Sequence, residues 1–277
     1  MSIISQPHVL SYRQWVSDPG FLLWGIAGIF WVALLAGGHQ HHVLVLDRSA
    51  GSASTVALAV LVIAGAWLEM IAAMMLPTVV PMVRMFNVVS ARGPRPTAAR
   101  AAFLAGYLAL WMVFALVAIA AATGIQTAAV LGQWTWIYTH PYLLLAAMLA
   151  IAGAFQLSSL KDRCLTQCRD PRMFLFLNYR RGIRGGWVLG LRHGLSCLGC
   201  CWALMLVMLG TGVENVMAML VLTVVMLAEK TTRWGRRMTV PLGIALLFAA
   251  VLVAFFGDKM WGWGLYAPLY SLCTTRL

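Results

Sequence analysis

The chain has 277 residues, 62% of them hydrophobic and only 10% charged, with a mean hydropathy of +0.85. Soluble domains carry about 25% charged and 45–50% apolar residues, so composition excludes a soluble globular domain and points to an all-α, polytopic membrane bundle. The formal net charge of +12 invites a nucleic-acid partner, but the placement of the basic residues, traced below, excludes that class.

A helix needs roughly 20 mostly apolar residues to cross a bilayer. Seven stretches are expected to do so, over 21–38, 56–82, 101–123, 142–157, 186–209, 213–228 and 240–256, all within one membrane domain spanning 1–277. No secretory signal is expected. Asp18 stands where a basic region would be, and no small-residue cleavage site closes the first apolar run. At the outer end of that run, "GGHQHH" holds His39, His41 and His42; a tract this short reads as a solvated turn ahead of a divalent-metal site.

The second stretch carries Pro77 and Pro81, and proline removes a backbone donor and kinks a helix. A kink at membrane depth is tolerated where protein or a cavity satisfies the freed groups. The segment "WLEMIAAMMLPTVVPM" also holds Glu69, Met70, Met74 and Met75. Met70 and Met74 are i, i+4 neighbours on one face. Glu69, an acid in mid-run, is a functional candidate by default, as a protonated acid, as a partner of Arg192, or in ion or proton passage. "ARGPRPTAAR" then reads as a connector. Trp134, Trp136, Tyr138 and Tyr142 form an aromatic belt before the fourth stretch.

Between the fourth and fifth stretches lies the largest polar segment, 158–185, with "KDRCLTQCRDP" placing Cys164 and Cys168 one helical turn apart. This is not the usual CxxC spacing. In a reducing cytoplasm the thiols stay free, as a transient metal pair or as inert loop cysteines.

The fifth stretch carries "RHGLSCLGCCWALM". From His193, helical offsets land on Ser196, Cys197, Cys200, Cys201, Leu204, Met205 and Met208, one stripe of imidazole, thiols and thioethers. Gly186, Gly190 and Gly194 form a small-residue ridge for close approach of another helix. Thiols and thioethers are the cheapest metal ligands to bury, since they pack as apolar groups when empty. Soft sulfur favours Cu(I), with zinc and iron–sulfur as competitors. Iron–sulfur takes four openly spaced cysteines, and zinc four tetrahedral ligands. Cu(I), content with two or three donors, ranks first and zinc second. The methionines of the second stretch share the inner depth of the stripe, so the two helices are expected to build the site together.

In the sixth stretch Met217 and Met219 read as packing. Glu214, Glu229 and Lys230 read as end anchors, and Cys273 in the tail carries little information. Basic residues fall in every second loop: Arg84 to Arg100, Lys161 to Arg184, and Lys230 to Arg237, with Arg48 alone in the loops 39–55, 124–141 and 210–212. This is the positive-inside pattern, with a cytoplasmic N-terminus.

The blocks "AWLEMIAAMMLPTVVP", "CLTQCRDPRMFL", "GLRHGLSCLGCCWALM" and "VMLAEK", in this order, resemble a bacterial family described as predicted metal-binding integral membrane proteins, a domain of unknown function. The resemblance covers about 55–255. It implies a metal site at Met74, Met75, His193, Cys197, Cys200 and Cys201, and a bacterial inner membrane. Glu69 stands where that family's pattern has an apolar residue. The expected function is non-enzymatic: Cu(I) binding for delivery to, or assembly of, a membrane cuproenzyme, or copper transport. Its partners would be lipid, the metal ion and another membrane protein or metallochaperone. The alternatives are a membrane thiol or metal oxidoreductase and an accessory subunit of a membrane complex.

Overall fold

The computed structural model describes residues 19–36, 53–130, 140–211 and 215–261, and among them regular structure is entirely helical. In chain order the helices are α1 (Pro19–Ala36), α2 (Ala53–Ser90), α3 (Pro96–Val130), α4 (Pro141–Gln156), α5 (Ser159–Arg169), α6 (Pro171–Asn178), α7 (Gly182–Thr211), α8 (Val216–Thr231) and α9 (Gly235–Trp261). His39, His41, His42, Trp134, Trp136, Tyr138, Glu214 and Cys273 lie outside the described residues.

Four segments are long and apolar enough to cross a membrane: Ala64–Ser90, Pro96–Ala118, Gly182–Thr211 and Gly235–Gly257. They correspond to the second, third, fifth and seventh expected crossings. A fifth arises if the bent pair Tyr142–Gln156 and Ser159–Arg169, joined at 68°, counts as one span. The first expected crossing gives a shorter apolar helix, Pro19–Leu35, and the sixth a helix of 16 residues. Over the described residues both fall short of the roughly 20 residues that a straight crossing needs.

The polar segment 158–185, read from sequence as a loop, is helical over most of its length. Ser158 caps α5, its hydroxyl accepting from the Lys161 N–H at 3.1 Å. Asp170 caps α6 through the Met173 N–H at 3.1 Å, with Pro171 in the first turn. These are the side chains that satisfy free amides at a helix start.

Helix α2 runs unbroken through Pro77 and Pro81. Pro77 cannot donate to the carbonyl four residues back, at Ala73. That oxygen accepts instead from the Trp31 indole N–H of α1, at 3.2 Å. A side chain from a neighbouring helix thus replaces the bond that proline removes.

α7 is the central helix, with α3 as its most extensive neighbour. The glycine ridge explains their closeness. A Cβ at Gly186 or Gly190 would collide with the carbonyl oxygen of Ala99 or Phe103, and one at Gly194 would lie 3.2 Å from the Leu110 side chain. One face of α7 joins the main core, which draws on α1, α2, α3, α5, α6 and α8 and includes Met74, Met75, Tyr107, Cys197 and Met226. Its opposite face, with Ala203 and Val207, packs on α4 and α9 through Leu149, Ala152, Ala250 and Val253. The sulfur stripe therefore faces the main core.

Candidate metal centre

The stripe on α7 is buried along its length: His193, Ser196, Cys197, Cys200, Cys201, Leu204, Met205 and Met208 all face inward. Cys197 is its hub. Its Sγ lies 3.1 Å from the Tyr107 hydroxyl of α3 and 3.1 Å from the Lys230 ammonium of α8. The same ammonium lies 3.9 Å from Cys201 Sγ, 3.9 Å from Met75 Sδ and 3.4 Å from Thr78 Oγ1. Four helices, α2, α3, α7 and α8, thus converge on one point. Thiols of α7 and a thioether of α2 meet there across a lysine whose place in the sequence reads as an end anchor.

Cys200 and Cys201, adjacent on the helix, both turn their thiols to the Cys197 carbonyl, at 3.0 Å and 2.9 Å. Cys200 Sγ also lies 3.8 Å from Cys168 Sγ on α5. Cys164, half-buried one turn earlier on α5, lies over Gly199, where a Cβ would come within 2.8 Å of its sulfur. Gly199 therefore makes room for a thiol. The five described cysteines are free, and they run from half-buried Cys164, through Cys168 and Cys200, to Cys197.

His193 sits in a cage of rings, with centroids of Phe174, Phe103 and Tyr107 at 5.3, 6.1 and 6.1 Å. Its Nδ1 is buried without a hydrogen-bond partner, and such a group in a native core calls for an explanation. Tyr107 touches both the imidazole and the Cys197 sulfur, which ties His193 to the cluster. Met70, Met74 and Met205 are buried in the same core. Glu69 is half-buried, and Arg192, a candidate partner for it, donates instead to Asn178 Oδ1 at 2.7 Å. Met219 is buried while Met217 is 69% exposed.

A second polar network backs the first. Lys161, on the segment expected to be a solvated cytoplasmic loop, is only 1% exposed. Its ammonium pairs with Glu229 at 2.7 Å and donates to the Cys200 carbonyl at 2.6 Å. Gln156 donates to the other Glu229 oxygen at 2.9 Å. Arg169 donates to the backbone carbonyls of Glu229 and Thr232. Lys161, Glu229 and Lys230 are thus internal groups rather than topology markers or end anchors. The block "VMLAEK" carries Glu229 and Lys230 as adjacent opposite charges closing an apolar run, a pattern that an end anchor shares. Tyr107 carried a signal, as a hydroxyl in mid-span that needs a partner.

Beside the site, a cleft of about 330 Å³ opens between α5, α6 and α7, lined among others by Gln167, Met173, Phe174, Arg192 and Ser196. Ser196 bonds Gln167 across it at 2.8 Å. The Phe174 ring separates this cleft from His193.

Among the described residues, no group of three or more His, Cys, Asp and Glu side chains is gathered as a ready-made metal site. The donors that do converge are of mixed kind, thiols with a thioether, and an ammonium stands between them. Their chemistry fits a soft monovalent ion, and His193, its Nδ1 buried without a partner, packs on the Tyr107 ring beside them.

A family model described as a copper chaperone matches residues 64–253. That span includes every element of the cluster, from Met70 to Lys230. Comparisons with curated proteins and with solved structures find no match.

Proposed function

For a chain that belongs to the PpoB2 copper-chaperone family, we propose that Cu(I) is held in mid-bundle by Cys197 and Met75, with Cys201 and His193 as further donors, for delivery to a membrane cuproenzyme. The observation that carries this reading is the meeting of Cys197, Cys201 and Met75 within 3.9 Å of one point, the Lys230 nitrogen. Thiolate and thioether together select Cu(I), and a carboxylate-poor pocket disfavours harder ions. Copper reaches this pocket from the side of α5, where Cys164 and then the Cys168–Cys200 pair offer successive sulfurs. Zinc is the competitor, and its demand for four tetrahedral ligands is less well met by this donor set.

The setting is the bacterial inner membrane, with the shorter α1 and α8 completing seven crossings and a cytoplasmic N-terminus, the arrangement that the alternation of basic loops supports. Exposed apolar side chains such as Ile29, Val117, Phe248 and Phe255 suit contact with lipid. The recipient is another membrane protein, and the donor a soluble metallochaperone.

The separation of 3.8 Å between Cys168 and Cys200 favours one second reading, a membrane thiol oxidoreductase. Anaerobic Cu(I) binding against a chelator decides between them. The copper reading expects stoichiometric Cu(I) that is lost in Cys197→Ser. The oxidoreductase reading expects no retained copper and a Cys168–Cys200 disulfide that forms and reduces reversibly.

A further inference from the structure

Two buried lysines approach the α7 cysteines, and their surroundings differ. Lys161 is neutralised by the Glu229 carboxylate at 2.7 Å. Lys230, 8% exposed, has sulfur and hydroxyl neighbours: Cys197 and Cys201 from α7, Met75 and Thr78 from α2. Among the described residues no carboxylate lies within ion-pair distance of it. Burying a charge without an ionic partner is costly, so a lysine kept in such a place calls for a reason beyond packing.

The position of the ammonium supplies that reason. It stands between the very sulfurs that the proposed function assigns to the cargo, so a metal ion and Lys230 cannot hold them together. Both are monovalent cations. Exchanging one for the other at a Cys197 thiolate, the form that binds metal, leaves the charge of the pocket unchanged. The lysine stem is flexible, and Lys230 lies in the last turn of α8, where the free carbonyls and the dipole of a helix end accept a cation.

Resting on the copper reading, we propose that Lys230 is a resident counter-cation, a gate that swings away as Cu(I) enters and returns as Cu(I) is handed on. The step is ligand exchange without electron transfer: N–H···S contacts break as metal–sulfur bonds form, and the reverse occurs on release. A returning ammonium spares the buried sulfurs an uncompensated interval, so it speeds hand-over.

The test uses the full chain in detergent with Ag(I) as a redox-inert probe. Lysine accessibility is read by reductive methylation and peptide mass spectrometry, and release by the rate of silver transfer to a thiol chelator. Lys230 methylation is expected to rise about tenfold once one equivalent of silver is bound, while Lys161 stays protected. Lys230→Met is expected to slow transfer about tenfold, the equivalent of ~1.4 kcal/mol in barrier, and Lys230→Arg to retain most of the rate. Unchanged methylation of Lys230, or unchanged transfer from Lys230→Met, overturns the exchange while silver binding leaves the copper reading in place. A wild-type chain that takes up no silver removes the reading on which the exchange rests. Should Lys230→Met fail to fold, the wild-type methylation still decides.

Discussion

Cys197 and Met75 carry different parts of the site. A thiolate supplies charge and a strong soft bond, whereas a thioether supplies a neutral one. Cys197→Ser is therefore expected to abolish stoichiometric Cu(I) binding. Met75→Leu, which conserves volume while removing sulfur, should weaken it roughly tenfold, or about 1.4 kcal/mol; competition against a Cu(I) chelator measures both. The stripe from His193 to Met208 was readable because helical periodicity alone puts those positions on one face, and they are buried together. Lys230 was not readable. Its charge at the end of an apolar run has an ordinary explanation, and only the packing of α8 against α2 and α7 shows where the ammonium goes. The Lys161–Glu229 pair escaped for the same reason, joining residues far apart in sequence. Removing one partner of a buried pair costs about 3–5 kcal/mol, and replacing both by apolar groups costs far less. Thermal unfolding in detergent is expected to show Glu229→Leu strongly destabilised and Lys161→Met/Glu229→Leu largely restored.

Helices α3 and α7 meet along a seam that tolerates no side chain. Gly190→Leu would drive its side chain into the Phe103 carbonyl, so it is expected to separate the two helices and pull Tyr107 from Cys197. Loss of Cu(I) affinity together with a lowered unfolding temperature would show this, and Gly25→Leu, which meets nothing within 4 Å, serves as the control. The ridge of Gly186, Gly190 and Gly194 was legible from its spacing; its partner helix was not, because a small-residue ridge is silent about what fills it. At Pro77 sequence reasoning foresaw a freed carbonyl but not its acceptor role toward Trp31, which depends on how α1 lies on α2. Trp31→Phe should cost about 1 kcal/mol, the net worth of one hydrogen bond. The segment 158–185 went unread as helix because its charges look like a solvated loop, whereas two capped helices bury Lys161, Leu165, Phe174 and Leu175.

Taken as a bundle, the molecule places its soft donors where α2, α3, α7 and α8 converge and closes them from one side with α5, which carries its own two thiols. Composition pointed to a membrane protein, and four helices among the described residues are long and apolar enough to cross. The number of crossings was harder to read, because the chain also contains shorter apolar helices and a bent pair that passes as a span only when taken together. Reporter fusions in the segments after α2, α6 and α8 are expected to place all three on the cytoplasmic side. The coupling of core, cysteines and cargo can be examined in one experiment: X-ray absorption at the copper edge of the anaerobically loaded, detergent-purified chain. A Cu(I) edge with a sulfur-dominated shell that loses sulfur in Met75→Leu and vanishes in Cys197→Ser is the expected result. Copper bound through oxygen and nitrogen alone, or a sulfur shell untouched by both substitutions, would show that the cargo is held elsewhere.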